Sequence, residues 1–227
     1  MPPRSGRAER RRLARRVRRR RAGRTPRRIA GVLCTAIALT LLLKTFAVQA
    51  FVIPSVSMEP TLRVGDRVLV DRFTPWFGGR PARGDVVVFT DPGGWSPPVP
   101  TDRGSPAPPG KEVLTALGLV PADDGRTLIK RVVAVGGDTV EGDASGQVRV
   151  DGVLVEPPGP PGRAAHRSEP FRVTVPAGRL FVLGDNRGNS ADSRVHLGNG
   201  HGGSIPHDAV VGKAFAVAWP TAHWRTL

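Results

Sequence analysis

The chain has 227 residues and a net charge of +15, room for one large domain or for a domain with a small insertion. The charge is not a surface average: residues 1–28 carry 14 Arg and one Glu, while the other 199 residues carry 20 basic and 18 acidic groups. The basicity therefore belongs to a tail rather than to a folded surface, and the single cysteine, Cys34, excludes an internal disulfide and a cysteine metal cluster.

Residues 1–28 read as an Arg-rich tail, open on sequence alone to three uses: a solvated arm, a nucleic-acid contact or a contact with anionic lipid. Residues 29–49 are predicted to form one transmembrane helix. Ile29 to Val48 holds a single charge, Lys44, placed near its far end where it can snorkel outward. Arginine packed just before the span, with no basic residue between Lys44 and Arg63, places the N-terminus in the cytoplasm and the remainder outside. Val48-Gln49-Ala50 also has the small residues of a signal-peptide cleavage site. The apolar stretch exceeds an ordinary signal-peptide core, which favours a retained anchor; cleavage after Ala50 would in any case leave Ser57 in place.

Beyond the span, short β-type runs separated by Gly and Pro dominate. Arg67–Val70, Asp85–Phe89, Ile129–Val135, Gln147–Val150, Phe171–Val175, Leu180–Leu183 and Val210–Ala218 read as strands. Asp151-Gly152 between two apolar runs predicts a hairpin. The expected class is all-β with mainly antiparallel sheets. Residues 50–137 and 181–227 would form an extracytoplasmic domain, and 138–180 a small inserted β-hairpin subdomain. Residues 91–126 and 156–170 read as Pro/Gly-rich surface excursions, the former with a short helix near Glu112–Leu117. Phe73, Trp76 and Phe77 fall in a loop-like setting, suited to core packing or to a membrane-facing aromatic patch.

Two residues carry the chemical argument. Only four of the 34 basic residues are lysine, and one of them, Lys130, stands between Leu128-Ile129 and a valine-rich run. Arginine stays protonated in a protein, whereas a desolvated lysine can lose its proton and act as a base. To work near neutral pH its pKa would have to fall from about 10.4 to roughly 7–8, some 4 kcal/mol of desolvation and field. Ser57 follows the apolar stretch Phe51-Val52-Ile53-Pro54 and is the matching nucleophile. Ser55, two residues upstream, can join the Ser57 backbone N–H as an oxyanion donor.

In this order along the chain stand Pro54-Ser55-Val56-Ser57-Met58-Glu59-Pro60-Thr61-Leu62, Arg83-Gly84-Asp85-Val86-Val87-Val88-Phe89, Lys130-Arg131-Val132 through Asp138, and Gly184-Asp185-Asn186-Arg187-Gly188-Asn189-Ser190-Ala191-Asp192-Ser193-Arg194. With the apolar span ahead of them, these segments resemble bacterial type I signal peptidases. The resemblance implies a membrane-anchored serine endopeptidase that removes signal peptides from exported preproteins. It makes Ser57 the nucleophile, Lys130 the general base and Ser55 the side-chain oxyanion donor. Ser190 would hydrogen-bond and orient the lysine, and Asp192 with Arg194 would form a structural pair beside the site. Phe51, Ile53, Met58 and Ile129 would line shallow pockets for small side chains at positions −1 and −3 of the substrate. Two positions depart from the family pattern. Gly188 replaces a common Asp that could pair with Arg194, and Gly136 replaces a usual Pro, which suggests a looser turn.

The implied chemistry needs no metal or cofactor, and His196, His201 and His207 lack metal-site spacing. The expected partners are signal peptides and the lipid bilayer, with no nucleic acid, and the chain is expected to be a monomer in the cell membrane. Ser-x-x-Lys, Gly-x-Ser-x-Gly, His-Glu-x-x-His and Walker patterns are missing. A self-cleaving Ser/Lys repressor would need a DNA-binding domain and no membrane span. The non-enzymatic rival is a membrane-tethered β-domain whose Arg tail binds lipid or nucleic acid.

Overall fold

The computed structural model describes residues 29–36, 39–40, 48–76, 78–95, 127–159 and 169–227. The Arg-rich tail, the helix expected near Glu112–Leu117 and most of both Pro/Gly-rich excursions lie outside these residues. Residues 1–44 and 45–227 form two separate compact units. In the first, residues 29–36 and 39–40 are helical and exposed. Among the described residues no helix is long and apolar enough to cross a membrane; positions 37–38 and 41–47 of the predicted span lie outside them. The helix does not reach residue 49, because Val48 and Gln49 already belong to a strand.

The second unit is built on an eight-stranded sheet. Its path is β1 (Val48–Val52), β2 (Arg67–Asp71), β11 (Val210–Trp219), β3 (Val86–Thr90), β4 (Thr127–Val135), β9 (Arg179–Leu183) and β10 (Ile205–Pro206), with β12 (Arg225–Thr226) also paired to β11. Every pairing is antiparallel. Strand β3 explains why its sequence is uniformly apolar rather than alternating. Val86 and Val88 face a core of Phe51, Ile53, Met58, Leu62, Val68, Val70 and Ile129, while Val87 and Phe89 face a second core with Val132, Leu180 and Val182. A strand covered on both faces has no polar side.

A smaller sheet, ordered β7 (Val153–Leu154), β6 (Val148–Val150), β5 (Thr139–Gly142) and β8 (Phe171–Thr174), occupies the stretch read as an insertion. It shares a core with the main sheet: Val140, Val148, Val150 and Val175 pack with Val133, Ala134, Phe181 and Leu183 of β4 and β9. The β6–β7 turn uses Asp151 and Gly152 at φ 51° and 81°, the left-handed pair that a two-residue hairpin requires. Arg83 ties the two sheets by forking onto Asp138 and reaching Asp151.

Gly136 corrects the expectation of a loose turn. A Cβ there would lie 2.9 Å from both Ala177 Cα and Pro176 O, so the glycine allows close contact between two backbone segments. Because neither contact is a flexible side-chain tip, Gly136→Ala is expected to destabilise the fold by about 1–3 kcal/mol through overpacking, measurable by urea denaturation.

Candidate active site

The site forms where four segments meet around the middle of β4. The apolar run Phe51-Val52-Ile53 enters the core, and Pro54 cannot extend β1's ladder, so the chain turns into a single 3-10 turn, Val56–Met58. This turn buries Ser57 and Met58. It is fixed from the loop after β9: Asn186 donates its backbone N–H to Ser57 O at 3.0 Å and its side-chain Nδ2 to Val56 O at 3.1 Å. Asn186 had no role in the sequence reading, although it lies inside a quoted segment; only the fold reveals its partner 130 residues away.

Lys130 sits on β4 opposite Val87 of β3, with 4% of its surface exposed. Its Nζ donates to Ser57 Oγ at 2.7 Å. Burial brings its pKa down from 10.5 to about 8, against the opposing pull of Asp192 and Asp185. On losing a proton the amine can turn the contact around and accept from the serine hydroxyl. Ser55 Oγ stands 3.2 Å from Ser57 Oγ on the exposed side.

The 184–194 loop closes the site. Continuing the β4–β9 register past Arg131↔Leu183 places Gly184 beside Lys130. A Cβ at Gly184 would approach the Ser57 carbonyl oxygen to 2.5 Å and strike the Ser190 side chain, so only glycine lets the loop lie this close. Asp192 is fully buried and forks with Arg194, Nε to Oδ1 and Nη2 to Oδ2, each at 2.9 Å. Its Oδ2 also accepts from Gly184 N at 3.0 Å. Arg194 reaches Arg187 O at 2.9 Å, so it is satisfied despite Gly188. Arg187 itself is buried with its Nε unpartnered, and burial lowers its guanidinium to about 10, still charged at neutral pH. Arg131 forks onto Asp185, Nε to Oδ1 at 2.8 Å and Nη2 to Oδ2 at 2.7 Å.

Two expected placements differ. Ser190 Oγ is buried without a hydrogen-bond partner; it lies against Gly184, near the Ser57 carbonyl, and makes no hydrogen bond to Lys130. Met58 is wholly enclosed in the core and is not part of the wall formed by Phe51, Ile53 and Ile129. The resemblance implied a pocket wall at Met58, but the 3-10 turn buries it. Phe51, Ile53 and Ile129 do line one small apolar pocket, with Val52, Pro54, Val88, Thr127 and Leu128. Among the described residues, no three His, Cys, Asp or Glu side chains converge as metal ligands; His196 stacks on Trp95 at 4.4 Å instead.

A lysine held below its ordinary pKa taxes the fold. The cost is complete below pH 8, where the folded protein still carries the buried ammonium, and fades as pH rises toward 10.5, where the unfolded chain also loses the proton. Lys130→Met should therefore raise stability by about 2 kcal/mol at pH 7. The gain over wild type should shrink on going from pH 8 to pH 10, as followed by denaturant melts across that range.

Comparison with known proteins bears on what this arrangement is. A family described as "Signal peptidase, peptidase S26" matches residues 27–219. The chain is 38% identical to "Probable signal peptidase I" of Mycobacterium leprae, over 83% of this chain and 74% of that protein. It is 37% identical to "Signal peptidase I" of Mycobacterium tuberculosis strain H37Rv, over 83% and 71%. With "Signal peptidase I" of Pseudomonas aeruginosa the identity is 34%, over 80% and 69%. By extent of match and by identity, the chain belongs to the signal peptidase, peptidase S26, family.

Proposed function

We propose that the protein is a membrane-anchored serine endopeptidase that removes signal peptides from exported preproteins with a Ser57/Lys130 dyad. The single observation that carries this reading is the 2.7 Å contact between Lys130 Nζ and Ser57 Oγ in a buried setting. Neutral Lys130 takes the hydroxyl proton as Ser57 Oγ attacks the scissile carbonyl carbon. The oxyanion is received by the Ser57 N–H and the Ser55 hydroxyl, and the lysine returns the proton to the leaving amine. Water deprotonated by the same lysine then releases the acyl group and regenerates Ser57.

Substrate choice follows from the pocket. Phe51, Ile53 and Ile129 bound a cavity of only about 30 Å³, which admits small side chains and rejects larger ones by clash. Preproteins with small residues at −1 and −3 fit this wall. Asp192 and Arg194 hold the loop behind the lysine, and Ser190, packed at the Ser57 carbonyl, positions the nucleophile's turn rather than the base. The stretch from residue 29 to the start of β1 at Val48 anchors the chain in the cell membrane as a single pass, the Arg-rich tail lies in the cytoplasm, and residues 48–227 act outside it as a monomer without metal or cofactor.

Two measurements test this reading. Ser57→Ala and Lys130→Ala should each abolish cleavage of a preprotein in detergent while leaving circular dichroism unchanged; full activity in Lys130→Ala refutes the base assignment. The pH dependence of kcat/KM should show an acid limb near pH 8, falling about tenfold per unit below it and flat above, because only the neutral amine accepts the proton. A flat profile from pH 6 to 9 overturns the proposal.

A further inference from the structure

Two buried carboxylates, Asp185 and Asp192, act electrostatically on Lys130, and both favour its protonated form. Each has no exposed side-chain surface, and each is gripped by an arginine. Of its other neighbours among the described residues, Val87 opposes it on β3 and the 3-10 turn presents the Ser57 hydroxyl, both uncharged. The arginines are the remaining charges in the cluster. Arg194 holds Asp192, Arg131 holds Asp185, and Arg187 lies near the same two carboxylates.

Of the three, Arg131 follows Lys130 directly on β4. Its Nε and Nη2 take both oxygens of Asp185, and its Nη1 donates to Gly84 O at 2.7 Å. The guanidinium is thus held at three points, by a carboxylate on one side and by the turn before β3 on the other. A carboxylate in such a fork directs both oxygens at the arginine, and its field beyond the pair is that of a dipole rather than of a free charge.

We infer that Arg131 is a positioning residue for proton transfer: by occupying Asp185 it withholds a buried counter-ion from the Lys130 ammonium, so that the amine is available as a base. The inference deepens the Ser57/Lys130 reading and rests on it. It also assigns a use to the turn at Gly84, whose carbonyl oxygen braces the guanidinium.

The test is a pH profile of kcat/KM on the full chain in detergent, with a fluorogenic peptide carrying Ala at −1 and −3, for wild type, Arg131→Gln, Asp185→Asn and the double variant. Freed from Arg131, Asp185 becomes a counter-ion of Lys130, so Arg131→Gln should move the acid limb up by about one pH unit. Activity then falls about tenfold below the limb and recovers on the alkaline plateau. The double variant removes the freed charge and should return the limb to the wild-type position or below. Arg131→Gln lowering kcat/KM by one factor at every pH, with the limb unmoved, marks a merely structural role and overturns the inference. So does a double variant whose limb stays raised. Should Arg131→Gln not fold, Arg131→Lys decides instead, because an ammonium keeps the charge but cannot fork onto both Asp185 oxygens: a raised limb supports the inference and an unmoved one sinks it. Failure of the underlying dyad reads out separately, as activity that survives Lys130→Ala.

Discussion

The structure turns on keeping one ammonium dry. Lys130 lies on β4, in the interior of the eight-stranded sheet, where water reaches 4% of its surface. Bringing its pKa from 10.5 to about 8 corresponds to about 3 kcal/mol, a large fraction of the stability of an ordinary domain. Burial has to supply this against two nearby carboxylates that work the other way. Desolvation outweighs them, and both carboxylates are themselves paired with arginines.

The sheet order makes the arrangement possible. Strands β3 and β9 flank β4, so a side chain at its centre is hidden on both sides, and the loop leaving β9 arrives directly beside Lys130. Gly184 lets that loop approach the Ser57 turn, and Asn186 fastens the two by backbone and side chain. The Arg83-Gly84-Asp85 turn serves the same end from the other flank. Arg83 joins the two sheets, Gly84 O braces Arg131, and Asp85 pairs with Lys213 on β11. A turn that looks incidental in the sequence thus links three parts of the fold.

Much of the sheet was legible because β-branched runs ended by Gly and Pro have few other ways to bury themselves; all seven runs read as strands contain one. Strand β1 was not, since Val48-Gln49-Ala50 continues an apolar run without a break and only pairing with β2 distinguishes it from helix. The pairing of Ser57 with Lys130 was suggested by the apolar setting of the lysine and made specific by the resemblance of the segments around both residues to type I signal peptidases. Other contacts between distant segments could not be read in this way. Met58 was turned into the core, and Ser190 left without a hydrogen bond to Lys130, by a 3-10 turn and a loop path that no periodicity encodes. The Arg131 fork was hidden for the same reason, its partner lying 54 residues on.

The turn bearing Ser57 is held from the far end of the chain as well. Asp66, buried where the loop after Ser57 ends, accepts from His223 Nδ1 at 2.8 Å, and Arg63 contacts His223 Nε2 at 3.0 Å. One neutral tautomer, protonated at Nδ1, satisfies both, so the imidazole bridges a carboxylate and a guanidinium. Arg225 adds a bond to Pro60 O at 3.0 Å. The 59–66 loop therefore has polar attachments to the C-terminal segment on its outer side and an apolar seat, Met58 and Leu62, on its inner side. With Asn186 holding Val56 and Ser57, the Ser57 turn is restrained on both flanks, and the 2.7 Å contact with Lys130 is held by a rigid frame.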